Sequence, residues 1–207
     1  MESMSAAGDA RVLWLAMVQR LMSRASHDVK DALNGVAVNL EVVRSRAERE
    51  GTPASAVAPF AGAAGQQLER LTSLLEALLA VARPERDPVD VGVALRRVAT
   101  LCSASAAGGG VAVEGESGED AVTGVAGEVV RLALAAPMLE AVSGDEKSVT
   151  VRCVLRLAPT EIHVRMGTEG GRVGMPAAVA SVLRDAGVRW TDEEQDEGVL
   201  SLVFPRA

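Results

Sequence analysis

Aromatic side chains are scarce in this chain, at 2% of 207 residues. Ala, Val and Leu must therefore fill the core, which suits closely packed helices. Cysteine is equally sparse. Cys102 and Cys153 stand far apart and outside any Cys-x-x-Cys pattern, which reads as two reduced, buried thiols rather than a disulfide framework or a metal site. There is no excess of basic residues. The net charge is −7, which argues against nucleic acid as the main partner, since phosphate backbones call for basic patches. No run approaches the ~20 apolar residues needed to span a bilayer. The apolar stretch Val12 to Val18 lies between Arg11 and Arg20 and lacks a small-residue cleavage site, so it reads as helix rather than signal peptide. A cytoplasmic protein with no membrane partner is expected. Only two histidines are present, His27 and His163, so few side chains can act as nucleophiles near neutral pH.

What the chain does have is helical periodicity. From about Asp9 to Glu50, Val29, Leu33, Val36, Leu40, Val43 and Ala47 recur at alternating spacings of four and three, the seam of a helix that packs on other helices. Leu15, Val18, Met22 and Ala25 extend the stripe upstream, with a slip in register near His27. Gly51-Thr52-Pro53 breaks the helix. A second run reaches Arg83 through Val57, Ala61, Ala64, Leu68, Leu71, Leu75, Leu78 and Ala82, with Pro59 early in it. Two such helices form a hairpin. A lone hairpin leaves much of its stripe wet, so two copies are expected to pair into a four-helix bundle. The alternative is a monomer whose stripes pack on the C-terminal half.

Beyond a linker at Pro84 to Pro88 the pattern changes. Val91 to Cys102 reads as a helix and Val111 to Val113 as a short strand. Glu128 to Val142 reads as a helix despite Pro137. Ser148 to Leu157 and Glu161 to Met166 read as strands joined by the hairpin signal Ala158-Pro159-Thr160. Pro176 to Ala186 reads as a helix and Val199 to Phe204 as a last strand. This predicts a mixed sheet with helices on one face, an α+β sandwich. The glycines at 108 to 110 and 167 to 174 are expected to make turns, His163 to be structural, and Asp192 to Glu197 to form a solvated hairpin loop.

At about 100° per residue, His27 lies roughly 180° from Val36 and about 120° from Leu33, pointing away from the seam. Ser23, Asp31 and Asn34 share its face, with Arg20, Arg24 and Lys30 at the edges. On periodicity alone, this reads as a solvated helix face with one histidine on it. An exposed imidazole is in large part an unprotonated nucleophile near pH 7. The adjacent Asp28 could hold one ring nitrogen and leave the other free. Phosphoryl transfer asks mainly for in-line positioning.

The segment Ser26-His27-Asp28-Val29-Lys30-Asp31-Ala32-Leu33-Asn34 resembles the H-box of the dimerisation and phosphoacceptor domain of bacterial sensor histidine kinases. That motif runs His, acid, aliphatic, base, Thr or Asn, Pro and Leu. His27, Asp28, Val29, Lys30 and Leu33 match in register. Asp31 replaces the Thr or Asn linked to phosphatase activity, and Ala32 replaces the Pro. In that family a kinase-type ATP-binding sandwich follows, and the element order from Val89 to Ala207 is similar to it. Its nucleotide chemistry is not. The helix expected to carry Asn-x-x-x-Asn reads Ala136-Pro137-Met138-Leu139-Glu140-Ala141, and Glu140 would repel a triphosphate. Only Gly174-Met175-Pro176 resembles the end of the adenine loop, without its Asp, and the next helix leaves no room for an ATP lid.

A retained phosphoacceptor with a lost ATP site is similar in plan to the histidine phosphotransferases of phosphorelays. The resemblance implies an α+β chain. Residues 1–84 would form the helical hairpin of a dimeric four-helix bundle, 85–88 a linker, and 89–207 a degenerate histidine-kinase-type sandwich. It implies that His27 carries a phosphoryl group between receiver-domain aspartates, with Asp28 orienting the imidazole. Arg20, Ser23, Arg24, Lys30, Asp31 and Asn34 would line the docking face. The expected partners are response-regulator receiver domains and a second copy of the chain, with a hybrid histidine kinase as a further candidate. No cofactor or metal is expected on this chain, and Mg²⁺ would come with the receiver. Two alternatives stay open: a kinase-like regulator that binds such partners without carrying phosphate, and a true kinase with a divergent ATP site.

Overall fold

The computed structural model describes residues 3–82, 88–103, 110–114, 121–143, 149–169, 172–193 and 198–207, without the side chains of residues 3–7, 24 and 193. Most of the expected linker, including Pro84, lies outside the described residues. Helix α1 spans Ser3–Ala47 and α2 spans Ala54–Ala82. Between them Gly51 takes a φ of 78°, a left-handed turn that glycine adopts without penalty. Arg46 closes the hairpin end: its guanidinium donates to the Ala56 carbonyl at 2.6 Å and lies 4.4 Å over the Phe60 ring. Pro59 falls in the second turn of α2, where it removes the intrahelical bond to the Ser55 carbonyl. Further along, the helices approach closely at Gly35, where a β-carbon would meet Gln67 at 3.3 Å.

The rest of the described chain is an α/β sandwich. Strand β1 (Val89–Asp90) pairs antiparallel with β3 (Val122–Thr123) as a small separate ribbon. The main sheet holds β2 (Gly110–Glu114), β4 (Thr150–Leu157), β5 (Glu161–Thr168), β6 (Arg189–Glu193) and β7 (Val199–Pro205), in the order β2-β4-β5-β7-β6. Only β2 and β4 run parallel. Helices α3 (Val91–Ser103), α4 (Gly127–Val142) and α5 (Ala177–Asp185) supply the second layer. Alternation puts Val151, Cys153, Leu155, Ile162, Val164, Met166, Leu200, Leu202 and Phe204 in one core with α4, whose residues Val129 to Leu139 are all buried. Burial pushes the Cys153 thiol up to about 12, as expected where the thiolate would lose its water.

Several expectations change here. β1, β3 and β6 are strands where none was predicted. β1 and β3 are two residues each, too short for an alternating pattern. Asp192 and Glu193 belong to β6 rather than a loop, while 194–197 lies outside the described residues. Gly110 and Gly167 lie in strands, not turns.

The larger correction concerns the α1 seam. Ala10, Trp14, Leu21, Ala25 and Ala32 are buried, whereas Leu15, Met22, Leu33 and Leu40 are each about half exposed. At about 100° per residue the apolar side of α1 is one broad arc, roughly 100° to 240° from His27, and this chain covers the nearer half of it. The first half of α1 reaches past the end of α2 and packs on α4 and α5, with Ala10, Trp14 and Leu21 inside the sandwich core. Arg131 of α4, 3% exposed, clamps this junction. It sits 5.7 Å from the Trp14 ring and donates to the Val81 carbonyl at the end of α2 at 3.3 Å. No helix among the described residues is long and apolar enough to cross a membrane.

Candidate functional site

His27 lies just beyond the point where α1 leaves the sandwich and continues beside α2. Its side chain is 80% exposed, which places the imidazole in solvent as the helix angles require. Nδ1 lies 3.0 Å from Asp31 Oδ2, one turn further along the helix. The Asp31 carboxylate thus sits beside Nδ1 and leaves the Nε2 side of the ring uncovered by it.

The carboxylate that holds the imidazole is thus Asp31 and not Asp28, which corrects the expected orienting role. The reason is geometric. Adjacent residues diverge by about 100° around a helix, whereas residues four apart stack on one face. Asp28 turns toward α2 and accepts from Arg70 Nη2 at 2.7 Å, with its side chain only 18% exposed. Arg70 was not singled out from the sequence. A signal for it exists: folding the hairpin about the Gly51 turn sets Asp28 opposite Arg70, in nearly the same register that sets Gly35 opposite Gln67.

Of the remaining expected site residues, Arg20, Ser23, Lys30 and Asn34 are exposed, and all lie within about 60° of His27 around the helix. The Arg24 side chain lies outside the described residues. Arg20 also lines a crevice of about 250 Å³ between α1, α4 and α5, together with Met17, Leu132, Ala136, Glu140 and Pro176. This is where the histidine-kinase resemblance would seat a nucleotide. Apolar groups of α1 occupy one wall. Ala136 to Leu139 of α4 are buried in the core, and Glu140 is the anionic group at the opening. The space is below the ~300 Å³ lower end of small-ligand pockets, and its side chains do not fit a triphosphate.

His27, Asp28 and Asp31 bring one donor atom each within 4.8 Å of one another, the one such grouping among the described residues. An ion there would take the imidazole nitrogen and compete with Arg70 for Asp28. His163 lies on the outer face of β5, 3.2 Å from Glu161 through Nε2 and far from α1 in the fold.

No protein-family model and no curated protein matches the sequence. Solved structures do match. A bacterial phosphotransferase shares 15% identity with a TM-score of 0.52, over 91% of this chain and 96% of its own. A mycobacterial sensor histidine kinase, MprB, matches at 15% identity and a TM-score of 0.44, over 59% of this chain and 98% of its own. The Acinetobacter baumannii histidine kinase AdeS matches at 8% and 0.44, over 87% and 98%. The first likeness shows that hairpin and sandwich together form a known fold. At 0.44 the two kinases decide nothing further.

Proposed function

We propose that this protein is a histidine phosphotransferase of two-component signalling, with His27 carrying a phosphoryl group from one receiver-domain aspartate to another. The observation that carries this reading is the exposed His27 imidazole, held at Nδ1 by Asp31 with the Nε2 side left uncovered by it. Nε2 attacks the phosphorus of an aspartyl phosphate in line. The new N–P bond forms as the bond to the aspartyl oxygen breaks, and the carboxylate leaves with the electron pair. The ring gains positive charge, and the Asp31 carboxylate on Nδ1 offsets it. In the second half-reaction another receiver's aspartate attacks phosphorus and Nε2 leaves. Mg²⁺ comes with the receiver's acidic pocket.

Arg20, Ser23, Arg24, Lys30 and Asn34 form the docking face around His27, and Arg70 ties the Asp28 carboxylate to α2. The phosphate comes from another protein, in keeping with the crevice beside α4, whose apolar wall and Glu140 suit no nucleotide.

The protein acts as a homodimer. Leu15, Met22, Leu33 and Leu40 of α1 and Leu68, Leu75 and Leu79 of α2 are all between 44% and 58% exposed, at spacings of mainly seven and four. Heptad-spaced leucines on two adjacent helices are the pattern of a bundle completed by a second pair. This stripe lies on the opposite flank from His27, so pairing leaves the imidazole open.

Incubation with a phosphorylated receiver domain tests the reading. Acid-labile label appears on the wild type and is absent from His27→Ala. Label persisting on His27→Ala, or none on the wild type with receivers encoded beside its gene, overturns it.

A further inference from the structure

The outer face of the main sheet carries a second concentration of chemistry, remote from His27 in the fold. A basin of about 580 Å³ opens there, lined by Arg152, Val154 and Arg156 of β4, Arg165 and Gly167 of β5, and Val199 of β7. The strand register explains how three guanidiniums meet. Val154 pairs with Arg165 across the ladder, and Arg152 and Arg156 flank Val154 two residues away on the same face. Gly167 keeps the floor low, since a β-carbon there would meet Val199 at 3.3 Å.

Not all of these charges are paired off. Arg152 is engaged by Glu114 at 3.0 Å and Glu169 at 3.4 Å. Arg156 is exposed and has no ion pair among the described residues. The neighbouring Arg189 and His163 differ, since both lean on Glu161. In a chain of net charge −7, an arginine cluster over an apolar floor asks for an anion that also brings a flat or apolar part. Guanidinium forks match phosphate oxygens, and the volume falls within the ~300–1,000 Å³ of small-ligand sites. Glu169, which lines the basin with the arginines, and Glu114 beside Arg152 disfavour a polyanion running on across the sheet, such as nucleic acid or an acidic peptide.

We infer that the Arg152–Arg156–Arg165 basin binds a small organic phosphate of mononucleotide size. The phosphates would sit on the guanidiniums, and the ring on Val154, Gly167 and Val199. This site is separate from the phosphoacceptor and from the α4 crevice.

Calorimetry on the full chain tests it with four probes: ADP, inorganic pyrophosphate, adenosine and a polyglutamate peptide. ADP should bind, pyrophosphate should bind more weakly, and adenosine and polyglutamate should not bind detectably. Arg156→Gln and Arg165→Gln should each weaken ADP binding about tenfold, the range of one charge-assisted hydrogen bond. Glu140→Gln in the crevice and His27→Ala should leave it unchanged. The inference is overturned if no phosphate probe binds, if polyglutamate binds better than ADP, or if ADP binding ignores the arginines. Thermal melts of the two arginine variants, expected within a degree or two of wild type, keep misfolding apart from lost binding.

Discussion

The two halves of α1 carry the same kind of apolar pattern and meet different fates. The first half buries Ala10, Trp14 and Leu21 against α4 and α5, inside the sandwich core. The second half runs beside α2 and leaves Leu33 and Leu40 about half exposed. His27 stands just past the junction, on the side that neither surface uses. One continuous helix thus anchors the hairpin to a rigid body at one end, while an unfinished apolar flank runs along it from Leu15 to Leu40. A nucleophile whose ring must meet an incoming phosphorus in line gains from such anchoring, because its position is set by a core rather than by a loop.

The sharpest way to break this contrast is at Trp14. Trp14→Ala should cost roughly 3–5 kcal/mol, the range for removing a buried large aromatic, and calorimetric melting would measure it. If Trp14→Ala melts like the wild type, the first half of α1 is not part of the core.

Leu33→Asp combined with Leu40→Asp should act on the other half alone. The pair places two charges in the proposed copy-to-copy seam while touching little within the chain. Sedimentation should show a shift from dimer to monomer with helical content preserved. An unchanged dimer would place the contact elsewhere.

Asp31→Asn and Asp28→Asn sharpen the comparison at the junction itself. Loss of the Asp31 charge should slow phosphoryl acceptance roughly tenfold or more, since a charge-assisted hydrogen bond is worth about 1.5–3 kcal/mol. Asp28→Asn should slow it less, because Asp28 faces Arg70. The reverse order in single-turnover rates would restore the adjacent acid to the orienting role.

The smallest effect belongs to Cys153. Its folded thiol is held up at about 12 against an ordinary value of 9.0. Above pH 9 the unfolded chain therefore releases a proton that the folded chain keeps, and stability falls as pH rises from 9 toward 12. At pH 8 the thiol should resist alkylation until the protein unfolds. Rapid labelling of Cys153 in the native protein would show that the sheet opens.

Much of the fold was legible because its signals are local. The five helices and the β4–β5 hairpin follow from periodicity, Pro and Gly placement and β-branched runs. His27 pointing outward follows from helix angles alone. The misses share a cause, which is that they depend on which surface meets which. An apolar arc as wide as that on α1 does not say whether Leu21 or Met22 faces inward. A two-residue strand such as β1 has no pattern to read. Arg131 looks like an ordinary surface cation until Trp14 and the Val81 carbonyl are brought to it.

By itself the sequence determined that a helical hairpin precedes an α/β sandwich, and that a lone histidine stands off the hairpin's apolar side. Periods of 3.6 and 2 are properties of the chain's own backbone, so they survive without knowledge of the partners. The tertiary structure alone decided that α1 plugs into the sandwich, that Asp31 rather than Asp28 holds the imidazole, and that three arginines from two strands share one basin. Each of these depends on strands and helices finding their register. Register is set by the sum of many weak contacts between distant segments, and no single stretch of sequence records it.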